Sequence, residues 1–197
     1  MATGTPEGPA FYFDLANPEC YLAAERVIGV LPVAAEWIGI SAPDLPGADT
    51  LEGFRCEADR EAYFDRIART AARRGLQPLV WPQPFPADSR FAMRVATYAK
   101  QIGRTVPFAL AAFRQAFAAG RDLSLADNVL IAAAACEMHP TAVLKAGELR
   151  SMADRLAAAT ELARARGVRD VPAIWVPDGE VFHGDDALEQ AAARLAA

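Results

Sequence analysis

Phe11-Tyr12-Phe13-Asp14-Leu15-Ala16-Asn17-Pro18-Glu19-Cys20-Tyr21-Leu22-Ala23 reads as a short buried strand that runs into a turn and then a helix. Aromatic residues fill positions 11–13, as a strand start requires. Asn17 is a good N-cap and Pro18 a good first helical residue. A helix N-terminus just after a strand is a ready site for an anion, including a thiolate. Cys20 sits one turn inside that helix, and the position that opens it carries no thiol.

Working outward, Phe11–Leu15 is the first strand, Pro18–Val30 a helix with Leu22, Ala23, Val27 and Ile28 at helical spacing, and Val33–Ile38 a second strand. A strand–helix–strand unit of this kind implies a right-handed parallel crossover. Residues 41–57 are loop-like, with Pro43, Pro46, Gly47 and Gly53. Helical periodicity then dominates. Helices are expected over Asp59–Arg74, Ser89–Ile102, Pro107–Ala119, Ser124–Met138 and Leu149–Arg166, with a short one at Pro140–Lys145. Ser124 with Asp127 looks like a capping box. Leu76–Asp88 holds four prolines and reads as extended. Strand character returns at Ala173–Val176 and Glu180–Phe182, around the hairpin turn Pro177-Asp178-Gly179. Asp186–Leu195 is a last helix, with Asp186 and Glu189 spaced as a capping box. The order is βαβ, a helical block, then ββα.

The totals bound the function. At 197 residues the chain is long enough for one domain with an inserted subdomain. Its 53% hydrophobic and 23% charged residues suit a globular protein. A net charge of −5 offers nothing to nucleic acid. No apolar run reaches membrane-spanning length, and residues 1–9 read as a flexible tail and not a signal peptide. Three widely spaced cysteines, Cys20, Cys56 and Cys136, suit reduced thiols in the cytoplasm. His139 and His183 have no partners at metal-ligand spacing, so no metal is expected.

The sequence resembles the family of 2-hydroxychromene-2-carboxylate isomerases and kappa-class glutathione transferases, over about residues 10–195. Four segments carry this, in order. Phe11 to Ala23 is similar to an FYFD start with an SPYSYLA-like turn. Pro84-Phe85-Pro86-Ala87-Asp88-Ser89 is similar to a PFPxNS-like segment. Gly167 to Val176 is similar to a GVFGVPTFFV-like run, and Val181-Phe182-His183-Gly184-Asp185-Asp186 to an FWGxDR-like end. The resemblance implies an α/β, DsbA-like fold: a thioredoxin-like sheet (βαβ–ββα) from residues 10–40 and 166–197, with an all-helical insertion at 41–165. It also implies a cis Val171–Pro172 bond, a Val171 backbone that meets the cysteine part of a bound thiol such as glutathione, and Asp185 and Asp186 near its γ-glutamyl end. A homodimer is implied as well. The family's catalytic serine aligns with Asn17 and its second serine with Cys20. Its tryptophan before the glycine aligns with His183, and its arginine after the aspartates with Ala187.

Each site residue has a plain reading beside the functional one. Asn17 is a donor to a thiolate or oxyanion, or only a helix cap. Cys20 is an activated thiol, or a small apolar core group. Asp185 and Asp186 hold a ligand ammonium, or Asp186 caps the last helix. Tyr12, Asp14 and Trp81 line a pocket for an aromatic substrate, or serve the core and its walls. The leading expectation is an isomerase or transferase that uses glutathione, or another low-molecular-weight thiol, on a small aromatic electrophile. A DsbA-like thiol–disulfide oxidoreductase is the alternative, and it lacks its first cysteine. A binding protein that kept the scaffold without the chemistry is the third reading, and an occluded site would favour it.

Overall fold

A computed structural model describes residues 8–47 and 53–197. The expected tail lies outside the described residues as far as residue 7. Pro9 does not belong to a tail: it is buried, and its carbonyl accepts the Glu36 N–H at 2.8 Å.

Four strands form one sheet in the order β2-β1-β3-β4. β1 (Ala10–Phe13) and β2 (Glu36–Gly39) are parallel, with Phe11 opposite Trp37. β1 and β3 (Ala173–Trp175) are antiparallel, as are β3 and β4 (Val181–His183). The crossover and the hairpin are those the sequence predicts. α1 (Pro18–Ala24) and α2 (Val27–Val30) follow β1, and a 3-10 turn, Ala42–Asp44, follows β2. The inserted block carries α3 (Glu57–Arg73), α4 (Arg90–Gln101), α5 (Thr105–Phe117), α6 (Ala126–Ala134), α7 (Pro140–Glu148) and α8 (Arg150–Ala165). α9 (Ala187–Leu195) closes the chain and packs on β3 and β4.

Period-two alternation sorts the β1 side chains between the two faces of the sheet. Phe11 and Phe13 face Trp37 and Phe113. Tyr12 faces the other way, towards Arg166, whose guanidinium also lies 4.5 Å from the centre of the Trp175 ring. Ring contacts run on from Phe113 through Tyr21 and Phe117 to Trp81 and Phe64, so one aromatic core joins the sheet to the insertion.

Several expectations need correction. Pro18–Val30 is two helices. Glu25 pairs with Arg114 on α5 and Arg26 with Glu189 on α9, and the Arg26 N–H turns back to Ala23. The break turns Ile28 out of the predicted apolar stripe, leaving it 71% exposed. The second strand starts at Glu36 and not Val33, because pairing with β1 starts there. The first strand stops at Phe13, since the next ladder position is taken by a turn: the Leu15 N–H points to the Met93 sulfur. Neither predicted capping box forms. Asp186 makes no side-chain cap bond, and Ser124 bonds to Asp122 instead, so α6 starts at Ala126 behind Leu125.

Candidate functional site

Asn17 sits in the turn that leaves β1, with extended backbone (φ −96°, ψ 116°) and its own N–H on the Asp14 carbonyl at 3.2 Å. Its side-chain oxygen accepts the Glu19 and Cys20 N–H groups at 2.8 and 3.2 Å. This is the N-cap that the sequence predicts, which satisfies donors a helix start leaves orphaned. The amide end does something else. Asn17 Nδ2 donates to the Val171 carbonyl at 3.1 Å, across 154 residues of chain.

Val171 precedes Pro172, and the bond between them is cis, as the resemblance implies. Gln83–Pro84 and Phe85–Pro86 are also cis, which the sequence reading does not anticipate. The Val171 N–H donates to the Asp170 carboxylate at 2.7 Å. The Pro172 carbonyl accepts from Gly184, and the Arg169 N–H donates to His183 Nε2 at 3.1 Å. His183, partly buried, therefore braces the segment before the proline from β4. Burial lowers its pKa, and the nearby Arg169 charge adds to that.

Four backbone groups thus find side-chain partners at the site: the Glu19 and Cys20 N–H groups and both polar groups of Val171. All four are bound by Asn17 and Asp170. α1 has seven residues and a capped start, so the helix-end anion site expected from the sequence is not open.

Cys20 is fully buried. Burial pushes its thiol well above the ordinary range, and the charges of Asp14, Glu19 and Asp170 push the same way against a backbone hydrogen bond from Asp14. A thiolate is the nucleophile in disulfide exchange, so this thiol is an inert core group. Asp14 is 2% exposed, with its oxygens on backbone N–H groups of Ala16 and Ala42. Tyr12 is fully buried, and Arg166 donates to its hydroxyl at 2.7 Å. Neither side chain forms an open pocket wall. Trp81 is half-buried and stacks on Phe64 with ring centres 4.0 Å apart. Beside it, Leu15, Ala16, Pro82, Ala87 and Phe117 line a mainly apolar cleft next to the Asn17 turn, with a cavity volume of about 10 Å³, room for no more than a single water.

Asp185 pairs with Arg74 at 2.8 Å, and Glu19 with Arg66 at 2.6 Å. Arg66 lies in α3 and Arg74 is its C-cap, so the insertion reaches the core on two flanks of the site. Asp186 is exposed at the start of α9 and makes no cap bond. Asp170, Arg66 and Arg74 are site residues that sequence reasoning missed. Asp170 stands directly before Val171-Pro172, a position that could have been weighed. The two arginines are eight apart in a segment rich in arginine, and nothing in that pattern singles them out. Among the described residues, no cluster of three metal-ligating side chains occurs.

The DSBA-like thioredoxin domain model matches residues 10–196. No curated protein sequence matches significantly. Among solved structures, a 2-hydroxychromene-2-carboxylate isomerase superposes with a TM-score of 0.79 at 21% identity, covering 95% of each chain. A probable DsbA oxidoreductase from Streptomyces coelicolor gives 0.74 at 19%, covering 95% of this chain and 87% of its own. The cytosolic disulfide reductase DsbM from Pseudomonas aeruginosa, with GSH, gives 0.66 at 16%, covering 96% of this chain and 99% of its own. At these identities the likeness is one of fold.

Proposed function

The chain belongs to the DSBA-like thioredoxin domain family, and we propose that within it this protein is a thiol-dependent isomerase or transferase acting on a small aromatic electrophile. One observation carries the reading. The side chain that meets the Val171 carbonyl is a neutral amide, Asn17, and the nearest thiol in sequence, Cys20, is buried and protonated. Dithiol chemistry needs an attacking thiolate at that place. Amide-supported addition does not.

The site's fit to a thiol such as glutathione follows from what is already bound. Asn17 Nδ2 carries two protons, and the Val171 bond uses one. The Val171 carbonyl has a second lone pair. Asp186 is exposed, whereas Asp185 is neutralised by Arg74. The Val171 N–H is held by Asp170 and is the one group that would have to be released. Asn17, Val171 and Asp186 are thus the residues that would hold the ligand. The thiol, when bound, supplies a nucleophilic sulfur for a conjugated carbonyl. Asn17 then donates its second amide proton to developing negative charge; a positioned neutral donor of this kind is worth about 3 kcal/mol at a transition state. The cleft beside Ala16 has the apolar lining that an aromatic substrate needs, and it has to open to admit a ring. This reading sets the protein in a reduced cytoplasm, as a homodimer.

A second reading has its own support. Asn17 and Asp170 satisfy all four backbone groups, which suits a scaffold without chemistry. A thermal-shift series with glutathione and other low-molecular-weight thiols decides between them. A ligand bound only by the native state raises the melting temperature, by about 2.7 kcal/mol of stability at 100-fold excess over Kd. A rise with one thiol, together with thiol-dependent turnover of a conjugated aromatic ketone, supports the first reading. No shift with any thiol supports the second.

A further inference from the structure

We propose that Asp14 is the positioning residue of the Asn17 site, holding the reactive turn in register with the inserted helical block; this rests on the reading of Asn17 above. Asp14 is almost wholly buried, yet no ion pair reaches it among the described residues. Its Oδ1 accepts the Ala16 N–H at 2.9 Å, and its carbonyl accepts the Asn17 N–H at 3.2 Å. The two peptide groups that lead into Asn17 are therefore both held by one residue. Its Oδ2 accepts the Ala42 N–H at 3.0 Å, from the 3-10 turn after β2, and the Ser89 hydroxyl ahead of α4 donates to the same carboxylate. Leu15, between these contacts, points its N–H to Met93 on α4.

The pattern demands a carboxylate. Every partner of the two oxygens is a donor, and an ionised carboxyl group only accepts. A protonated acid or an amide sets a donor against the Ala16 or Ala42 N–H. Burial raises the Asp14 pKa, and the Asp44 charge adds to it, against the three donors. Cys20 on α1 is the other titratable group that faces it; the N-cap of α4 presents the neutral Ser89, and α4 itself the neutral Met93. A buried charge without a counter-ion is costly to keep. Here its bonds converge on Asn17 and on the two segments that anchor the insertion.

The test is a pH titration of the full chain by amide NMR, with Asp14→Asn and Ser89→Ala. In the wild type, the Ala16 and Ala42 amides and the Asn17 side-chain amide follow one midpoint above the ordinary aspartate range. Asp14→Asn abolishes that midpoint, speeds hydrogen exchange of the Asn17 side chain at least tenfold and weakens glutathione at least tenfold. Ser89→Ala removes a donor to the charged form and moves the midpoint up. Asn17 exchange or glutathione affinity within twofold of wild type, in a folded Asp14→Asn protein, overturns the proposal. If that variant does not fold, Asn17 signals that stay flat through the Ala16 midpoint overturn it. Glutathione that fails to bind the wild type sinks the thiol reading alone, and the amide signals still decide the role of Asp14.

Discussion

Asn17 does two jobs with two atoms, and substitution separates them. Asn17→Ala loses the cap and the bond to Val171, at about 1 kcal/mol each. Asn17→Ser keeps the cap and loses only the second. If the amide supports chemistry, alanine lowers turnover by more than its melting shift explains, while serine keeps or improves it. Equal turnover for all three proteins, with thiol binding intact, makes Asn17 a cap alone. Cys20 gives a second residue-scale prediction. Its thiol stays unreactive to a disulfide reagent in the native protein, while exposed Cys56 reacts. Insulin reduction above background that Cys20→Ala abolishes would restore the oxidoreductase reading. His183 gives a third. The folded state holds its pKa below the ordinary 6.5, so the unfolded chain takes up this proton first as pH falls. Its stabilising contribution is complete above about pH 6.5 and is lost as pH drops from there towards the folded value. Urea unfolding from neutral to mildly acidic pH shows this as a slope that His183→Gln reduces; an unchanged slope assigns it to another group.

At the scale of elements, close approach decides which helices meet. α4 and α7 pack so tightly that a Cβ on Gly147 would lie 2.1 Å from the Phe91 ring. Gly147→Ala therefore costs about 1–3 kcal/mol by overpacking. Shortening the neighbour relieves it: in a Phe91→Leu background the same change costs less, measured as a double-mutant cycle. A cost that stays the same with Phe91 shortened assigns the loss to something other than this contact. Gly39 on β2 makes a milder demand, since the atom 2.9 Å from the place of a Cβ is the terminal methyl of the flexible Met93 of α4. Helical periodicity shows that α4 and α7 exist and carries no record of either approach.

For the whole molecule, the insertion and the sheet share one core through Phe117, which touches both Tyr21 and Trp81. Phe117→Ala removes that link and lowers stability by about 3–5 kcal/mol. One core implies one cooperative transition, so calorimetry shows a single peak that moves down. Two separate peaks in the variant mean that core and insertion are distinct units. The ion pairs of α3 and its C-cap, Glu19–Arg66 and Arg74–Asp185, are partly exposed and contribute little of this stability.

The order βαβ, helices, ββα was legible in the sequence because apolar strand runs, helical spacing of apolar residues and the Asp178-Gly179 turn are local signals, set by neighbours within a few residues. The cap at Asn17 was legible for the same reason. Residue-to-residue partners across the chain were not. Asn17 meets Val171 over 154 residues, Tyr12 meets Arg166 over the same span, and Asp14 meets Ala42. Titration, too, was decided by tertiary structure: burial after folding raises the pKa of both Cys20 and Asp14. Local sequence determines which dihedrals and faces each segment prefers. Only packing decides which donors, charges and cavities those faces bring together, because desolvation and hydrogen bonding depend on neighbours that are distant in the chain.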